Sequence, residues 1–319
     1  MIAQLIEKLR DYEIYILYGG TSPEREISIK TGENVYQVLK EKKLNIHLFD
    51  IKSPDDLTAD FFSDNHIFFL ALHGGFGEDG TLQKKLEQYK AYFTGSGQSA
   101  SRIAMNKYLT KKIAESIGIK VPLYLYFSFN DLTKLNRILD FINFPLIVKP
   151  VNLGSTIGVK VCKNFNEMKD ALNFIKTLDN EFLVEEFLSG EEITASVLRN
   201  KSLVPIRLKY EEEIFDYDLK YKGKKIVYEF LEKNYKSVDL IAEKVFKAIG
   251  AYSYARIDFR SDGEFLYLLE VNTLPGLTPL SLFPKSAKMC GVEFDELLLI
   301  LLEDALNRYS NEQQSASQK

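Results

Sequence analysis

The chain has 319 residues, 45% of them hydrophobic and 27% charged, with a formal net charge of −4. That length suggests two or three domains at roughly 100–200 residues each, and the composition is that of an ordinary soluble globular protein able to bury its own cores. The slightly acidic balance argues against nucleic acid or an anionic membrane as the main partner, and leaves a charged small molecule open.

Residues 2–10 carry a short amphipathic helix pattern. The β-rich stretch 13–18 runs into Gly19-Gly20, and a helix pattern follows over 24–42. A strand at 45–50 precedes a polar stretch, and the apolar run 67–72 reads as a buried parallel strand ending at His73-Gly74-Gly75. With a helix over 81–89, this alternation predicts a parallel α/β sheet whose ligands bind beyond the strands' carboxyl ends. After Gly95-Ser96-Gly97 the texture becomes α+β: a Lys-rich helix at 101–117, a helix at 131–142, strands at 145–149 and 157–161, a helix at 166–177 and a strand at 181–186. Beyond lie a strand at 192–199, a Lys/Tyr/Glu-rich loop at 209–225 expected to be mobile, a helix at 235–249, strands at 253–260 and 265–271, and an amphipathic helix at 293–307. The polar tail from 311 is expected to be disordered. Cys162 and Cys290 lack any Cys/His cluster and are expected as buried, reduced thiols. Charges at Glu7, Lys8, Arg10 and Asp11 interrupt any leader, and no apolar run approaches the roughly 18 residues of a membrane span, so a cytoplasmic location is expected.

The densest set of hard oxygen ligands is late. Asp258 lies in ARIDF (255–259), and Glu270 and Asn272 end LLEVN (268–272). Such donors suit Mg²⁺ that also binds nucleotide phosphate. Side chains alternate along a strand. A two-residue turn at Asp262-Gly263 would pair Asp258 with Tyr267 and face it away from Glu270. A shared site therefore demands an odd loop, setting Asp258 opposite Leu268, or a bulge; the alternative is a surface hairpin with scattered carboxylates. Lys149, at the end of an apolar strand, and Lys107 are placed to hold phosphate. The small residues 154–158 could let backbone N–H groups approach a phosphate, or form a plain turn. Glu185 to Leu188, followed by Glu192, sit where a strand edge could read an adenine and a carboxylate could take ribose hydroxyls, or they are simply solvated. Thr21-x-x-Glu24 has the spacing of a capping box, yet Glu24 could instead hold a substrate ammonium. His73 is either structural or part of that site.

These segments together resemble the D-alanine–D-alanine ligase family. The stretches GGTSPEREISIKTG (19–32), LALHGGFGEDGTLQ (70–83), YFTGSGQSASRIAMNK (92–107), FPLIVKPVNLGSTIGV (144–159), LVEEFLSGEE (183–192), FDYDLKY (215–221) and ARIDF with LLEVNTLPGLTPLSLFP (268–284) occur in the family's order and span nearly the whole chain. The resemblance implies an α/β and α+β fold: an N-terminal parallel α/β domain (1–98), then a two-domain ATP-grasp module (99–186 and 187–312), then the tail (313–319). It implies ATP held by Lys107, Lys149, Ser155, Glu185, Glu186, Phe187, Leu188 and Glu192, and two Mg²⁺ or Mn²⁺ ions held by Asp258, Glu270 and Asn272. Glu24 would bind the ammonium of the first of two D-alanines, Ser281 and Leu282 would receive the second one's carboxylate, and His73, Lys220 and Tyr221 would also contact substrate. Glu24, Ser155 and Tyr221 would form a hydrogen-bonded group, and Arg256 and the Gly276 N–H would stabilise the tetrahedral intermediate. The implied activity is ATP-dependent formation of D-alanyl-D-alanine through an acylphosphate, for peptidoglycan synthesis, by a homodimer.

Two positions depart from the family pattern. Asn106 replaces the usual Asp before the first ATP lysine, and 223–235 lacks the usual polar, proline-containing stretch. Rival readings are a D-alanine–D-lactate ligase, against which Tyr221 speaks, and a silent ATP-binding regulator, against which the retained metal ligands and Arg256 speak.

Overall fold

The strand–helix alternation of the first hundred residues folds as the parallel sheet it implies. The structure, a computed structural model, describes residues 2–130, 132, 135–210, 226–232 and 235–309. In order come α1 (Ile2–Leu9), β1 (Glu13–Gly19), α2 (Arg25–Glu41), β2 (Asn45–Ile51), β3 (His66–Leu70), α3 (Thr81–Gln88) and β4 (Tyr92–Phe93). The strands pair in parallel in the order β2-β1-β3-β4. Ile14, Ile16, Ile67, Phe68 and Phe69 are wholly buried, as inner strands covered on both faces require. Ser28 on α2 binds the two central strand ends together, accepting from the Gly19 N–H and donating to the Ala71 carbonyl, each at 2.8 Å.

The Lys-rich stretch expected as one helix is two: α4 (Gln98–Met105) and α5 (Lys107–Ser116). Asn106 breaks it. Its backbone is extended, and its side-chain oxygen accepts from the Leu109 N–H at 2.9 Å, so it caps α5. The cap needs only an oxygen, which is why Asn serves where the family has Asp. The helix expected at 131–142 is a 3-10 turn over Leu135–Asp140, whose tighter spacing brings Leu135 and Ile138 to the same side of the core. Residues 131, 133 and 134 lie outside the described residues.

Two antiparallel sheets follow. The first joins β5 (Tyr124–Ser128), β6 (Leu146–Pro150), β7 (Lys160–Cys162) and β8 (Glu181–Glu186) in the order β5-β8-β6-β7, covered by α6 (Phe165–Ile175). The second joins β9 (Glu191–Leu198), β10 (Lys201–Ser202), β11 (Ile206–Lys209), β12 (Val227–Phe230), β13 (Tyr254–Ser261) and β14 (Leu266–Asn272) in the order β12-β11-β9-β13-β14, with β10 on β9. It is backed by α7 (Val238–Ala248) together with Ala104 of α4 and Ala114 of α5. The divergent stretch after the loop supplies the edge strand β12. The loop's residues 211–225, with Lys220 and Tyr221, and the tail from 310 lie outside the described residues, and so do the expectations made for them.

The last helices are α8 (Leu282–Met289) and α9 (Phe294–Asn307). Leu297, Leu298, Leu301, Leu302 and Ala305 of α9 join the core of the N-terminal sheet, as do Leu274, Leu277 and Phe283. Cys162 is buried as expected, whereas Cys290 is exposed, because it ends α8 on its solvent side. Among the described residues no helix is long and apolar enough to cross a membrane.

Leu302 is 0% exposed in a core built from both ends of the chain. Leu302→Ala is therefore expected to cost about 2–5 kcal/mol, read from denaturant unfolding midpoints.

Candidate active site

The second antiparallel sheet keeps a strict alternation. Ile193, Ala195 and Val197 of β9 and Ala255, Ile257 and Phe259 of β13 are wholly buried against the helices. The intervening residues, Glu192, Thr194 and Ser196 with Arg256, Asp258 and Arg260, share the opposite face. In register, Asp258 stands opposite Glu270 and Thr194, Arg256 opposite Asn272 and Ser196, and Arg260 opposite Glu192. The β13–β14 hairpin closes through residues 262–265, and its register shifts between Asp258 and Phe259, leaving Leu269 as the extra residue. The bulge required for a shared site is present; the odd loop is not.

The charges on this face are paired. The Arg256 guanidinium forks onto Asp258 at 3.0 and 2.8 Å, and the Thr194 hydroxyl donates to the same carboxylate at 2.6 Å. The Lys107 ammonium lies 3.6 Å from Glu270 and donates to the Leu153 carbonyl. Across the cleft, on the facing sheet, Ile147 stands opposite Glu185 and Lys149 opposite Leu183, all on one face. Lys149 lies 2.9 Å from one oxygen of Glu185, and Lys111 lies 3.0 Å from the other. Burial opposes charge on Glu185, yet Lys111 and Lys149 together hold its carboxyl below the usual range. Burial pulls Lys107 down, and Lys111 down to about 8. Lys111 was missed in the sequence. Its signal is its place one helical turn after Lys107 on α5, which sends both side chains the same way.

Asp258, Glu270 and Asn272 fit a divalent cation that arrives with a nucleotide. They offer two carboxylates and an amide on one face, a hard-oxygen set. Among the described residues no cluster of three or more His, Cys, Asp or Glu stands ready to hold a metal alone.

Two cavities meet at this face. One, enclosing about 700 Å³ of space partly open to solvent, lies between the two antiparallel sheets, lined by the apolar Pro122, Ile147, Leu188 and Leu269 and by the charged Lys107, Lys149, Asp258 and Glu270. Glu185, Glu186, Glu192 and Thr156 also line it. The Glu186 side chain accepts from the Leu123 N–H at 2.7 Å, and Phe187 packs near the Arg260 guanidinium. The second cavity, of about 1440 Å³, is lined by Glu24, His73, Glu78, Ser155, Arg256, Asn272, Gly276, Ser281 and Leu282. Lys107 and Glu270 line both.

Glu24 does not form the capping box. It is the N-cap residue of α2 without a side-chain cap bond. Ser22 takes that work, accepting from the Glu24 N–H at 3.1 Å and donating to the His73 carbonyl at 2.6 Å. The Glu24 carboxylate instead accepts from the Ser155 hydroxyl, which joins the 154–158 loop to the N-terminal sheet. Ser155 and Thr156 hold left-handed backbone at φ 50° and 62°, a strain typical of ligand-binding loops. The loop thus serves both cavities: Thr156 lines the first, Gly154 and Ser155 the second. A side chain at Gly74 would come within 2.6 Å of Glu24, so only glycine lets the backbone approach. Gly276 is similar, with the Ser281 hydroxyl 2.8 Å from where a Cβ would stand. Buried His73 meets the Thr31 hydroxyl at 3.0 Å, and burial next to Arg256 lowers it to about 4, so it is neutral near pH 7.

Glu78 was also missed; its signal is a carboxylate following His73-Gly74-Gly75. Burial, and then the charge of Glu24, push its carboxyl up to about 8 against the Gly74 N–H that donates to it. Raised above its unfolded value of 4.5, Glu78 contributes stability that is fully present below pH 4.5 and lost as pH rises through about 8. Wild type should therefore lose stability from pH 5 to 8 relative to Glu78→Gln, in paired denaturant titrations across that range.

The description "D-ala D-ala ligase C-terminus" matches residues 113–303. A D-alanine–D-alanine ligase of Pelagibacter ubique is 40% identical over 306 residues, covering 93% of this chain and 99% of that protein. One from Carboxydothermus hydrogenoformans is 36% identical, covering 90% and 96%. The crystal structure of the Bacillus anthracis D-alanine–D-alanine ligase complexed with ATP superposes with a TM-score of 0.83 at 33% identity, covering 94% and 99%. With a family match over more than half its length and full-length relatives above 30% identity, the chain belongs to the D-alanine–D-alanine ligase family, on an ATP-grasp fold.

Proposed function

We propose that this chain uses ATP to join two D-alanines into D-alanyl-D-alanine for cell-wall precursor synthesis. The observation that carries this is the meeting of the two cavities at Lys107 and Glu270. A nucleotide lying in the first cavity, base against its apolar residues, delivers its terminal phosphate where an amino acid in the second presents its carboxylate. Kinship with a ligase whose structure holds ATP supports the use of ATP.

A carboxylate is a poor electrophile. One of its oxygens attacks the γ-phosphorus, the bond to the β-phosphate oxygen breaks, and ADP leaves an acylphosphate. Lys107 and Lys149 line that cavity and hold the phosphates in line. Asp258, Glu270 and Asn272 would hold Mg²⁺ or Mn²⁺, which supplies neutralising charge to the phosphates. Backbone groups of Glu186, Phe187 and Leu188 face the base, and Glu192 the ribose. Glu24 takes the ammonium of the first D-alanine. The second D-alanine's carboxylate docks at Ser281 and Leu282, where the N-terminus of α8 favours an anion. Its amine attacks the acyl carbon and gives up a proton, and phosphate departs with the electrons of the broken C–O bond. Charge on the former carbonyl oxygen falls to Arg256 and the Gly276 N–H. The Ser155–Glu24 bond helps close the site over an acylphosphate that water would destroy.

ADP release from Mg-ATP should require D-alanine, not L-alanine, and yield the D-dipeptide. Release that ignores D-alanine would remove the substrate assignment and leave the fold. Arg256→Ala is expected to lower kcat by about 10²–10³, since it removes a donor to the developing oxyanion.

A further inference from the structure

Lys111 lines neither cavity, yet its side chain is 0% exposed. Lysine is almost never buried unless it is paired. Its ammonium sits 3.0 Å from Oε1 of Glu185 and 5.4 Å from the centre of the Tyr124 ring, on the strand facing Glu185. Glu185 is itself 1% exposed, and its Oε2 lies 2.9 Å from Lys149. One carboxylate therefore bridges two ammoniums, and only Lys149 reaches the cleft.

Resting on the nucleotide reading of that cleft, we propose that Lys111 is a positioning residue for nucleotide: it occupies one oxygen of Glu185, so that Lys149 keeps its charge for the phosphates. Lys107, Lys111 and Lys149 face Glu185 and Glu270, three positive charges against two negative. Removing Lys111 balances them and leaves Lys149 as the sole counter-ion of a buried carboxylate. In a site this dry the lysine then stays on Glu185, and the phosphates lose it. A purely structural Lys111 predicts something else: loss of stability without selective loss of nucleotide.

The test measures Mg-ADP affinity by titration calorimetry, with steady-state KM for ATP and for D-alanine. Lys111→Met should weaken Mg-ADP by about tenfold or more, because Lys149 is then held on Glu185 and withheld from the phosphates. KM for ATP should rise in step, while KM for D-alanine stays within about twofold. Lys111→Arg keeps a positive charge on Glu185 and should recover most of the affinity that Lys111→Met loses. Lys111→Met binding Mg-ADP like wild type, or Lys111→Arg binding no tighter than Lys111→Met, overturns the proposal. If Lys111→Met does not fold, Lys111→Gln decides: about a tenfold loss of Mg-ADP affinity supports the role, and near-wild-type affinity overturns it. Wild type that binds no Mg-ADP would instead bring down the cleft assignment, and this role with it.

Discussion

The bulge at Leu269 is the constraint on which the site depends. On β13 the buried residues recur at every second position, Ala255, Ile257 and Phe259. On β14 they fall at Leu266, Leu268 and Val271, a step of two and then of three. Two strands can share a core with those spacings only if one holds an extra residue. Phe259 then faces Leu268 and Ile257 faces Val271, and Asp258 comes opposite Glu270. Without the bulge, one carboxylate would point into the apolar layer. The core and the shared face of Asp258, Glu270 and Asn272 are thus consequences of the same register.

The same face shows how a dry site tolerates so many charges. Arg256 compensates Asp258, Lys107 lies against Glu270, and Lys111 with Lys149 surrounds Glu185. Each pairing offsets desolvation that would otherwise neutralise the group. Low dielectric also magnifies what remains when a phosphate or an oxyanion arrives. Glu78 follows the opposite course. It has the negative Glu24 nearby, so burial keeps its proton on.

Much of this was legible from residue patterns. The parallel sheet followed from apolar runs alternating with helical periodicity, and the demand that Asp258 and Glu270 share a face called for an odd loop or a bulge, of which the fold uses the bulge. Other features were hidden because they depend on contacts distant in sequence. Nothing local shows that α9 closes the N-terminal core, since an amphipathic helix fits any apolar surface. The break at Asn106 looked like helix, because Asn is tolerated in helices and its capping role appears only once the backbone turns extended. Strands β5, β11 and β12 are short, and β12 lies at an edge with little apolar alternation. Lys111 read as one more basic residue in a Lys-rich helix until the fold set Glu185 against it. Thr21 and Glu24 fit a capping box, but Ser22 was better placed to satisfy the backbone, and the carboxylate went to Ser155.

The packing also divides the labour. The N-terminal sheet and the segment after β14 share one continuous core through Leu274, Leu277, Phe283 and α9. That part of the second cavity's surroundings is therefore set by close-packed side chains, which resist displacement. The central sheet has a separate core and meets the rest through aromatic contacts of Tyr108 on α5 with Tyr124 and Tyr126 of β5, and through polar ones. The Lys107 N–H donates to the Val151 carbonyl at 3.1 Å, and Ser155 reaches Glu24. Polar contacts can be exchanged one for another at small net cost, whereas a core must be repacked whole. The sheet that carries Lys149 and the 154–158 loop is thus joined to its neighbours without a shared core, whereas the N-terminal sheet and the segment after β14 share theirs.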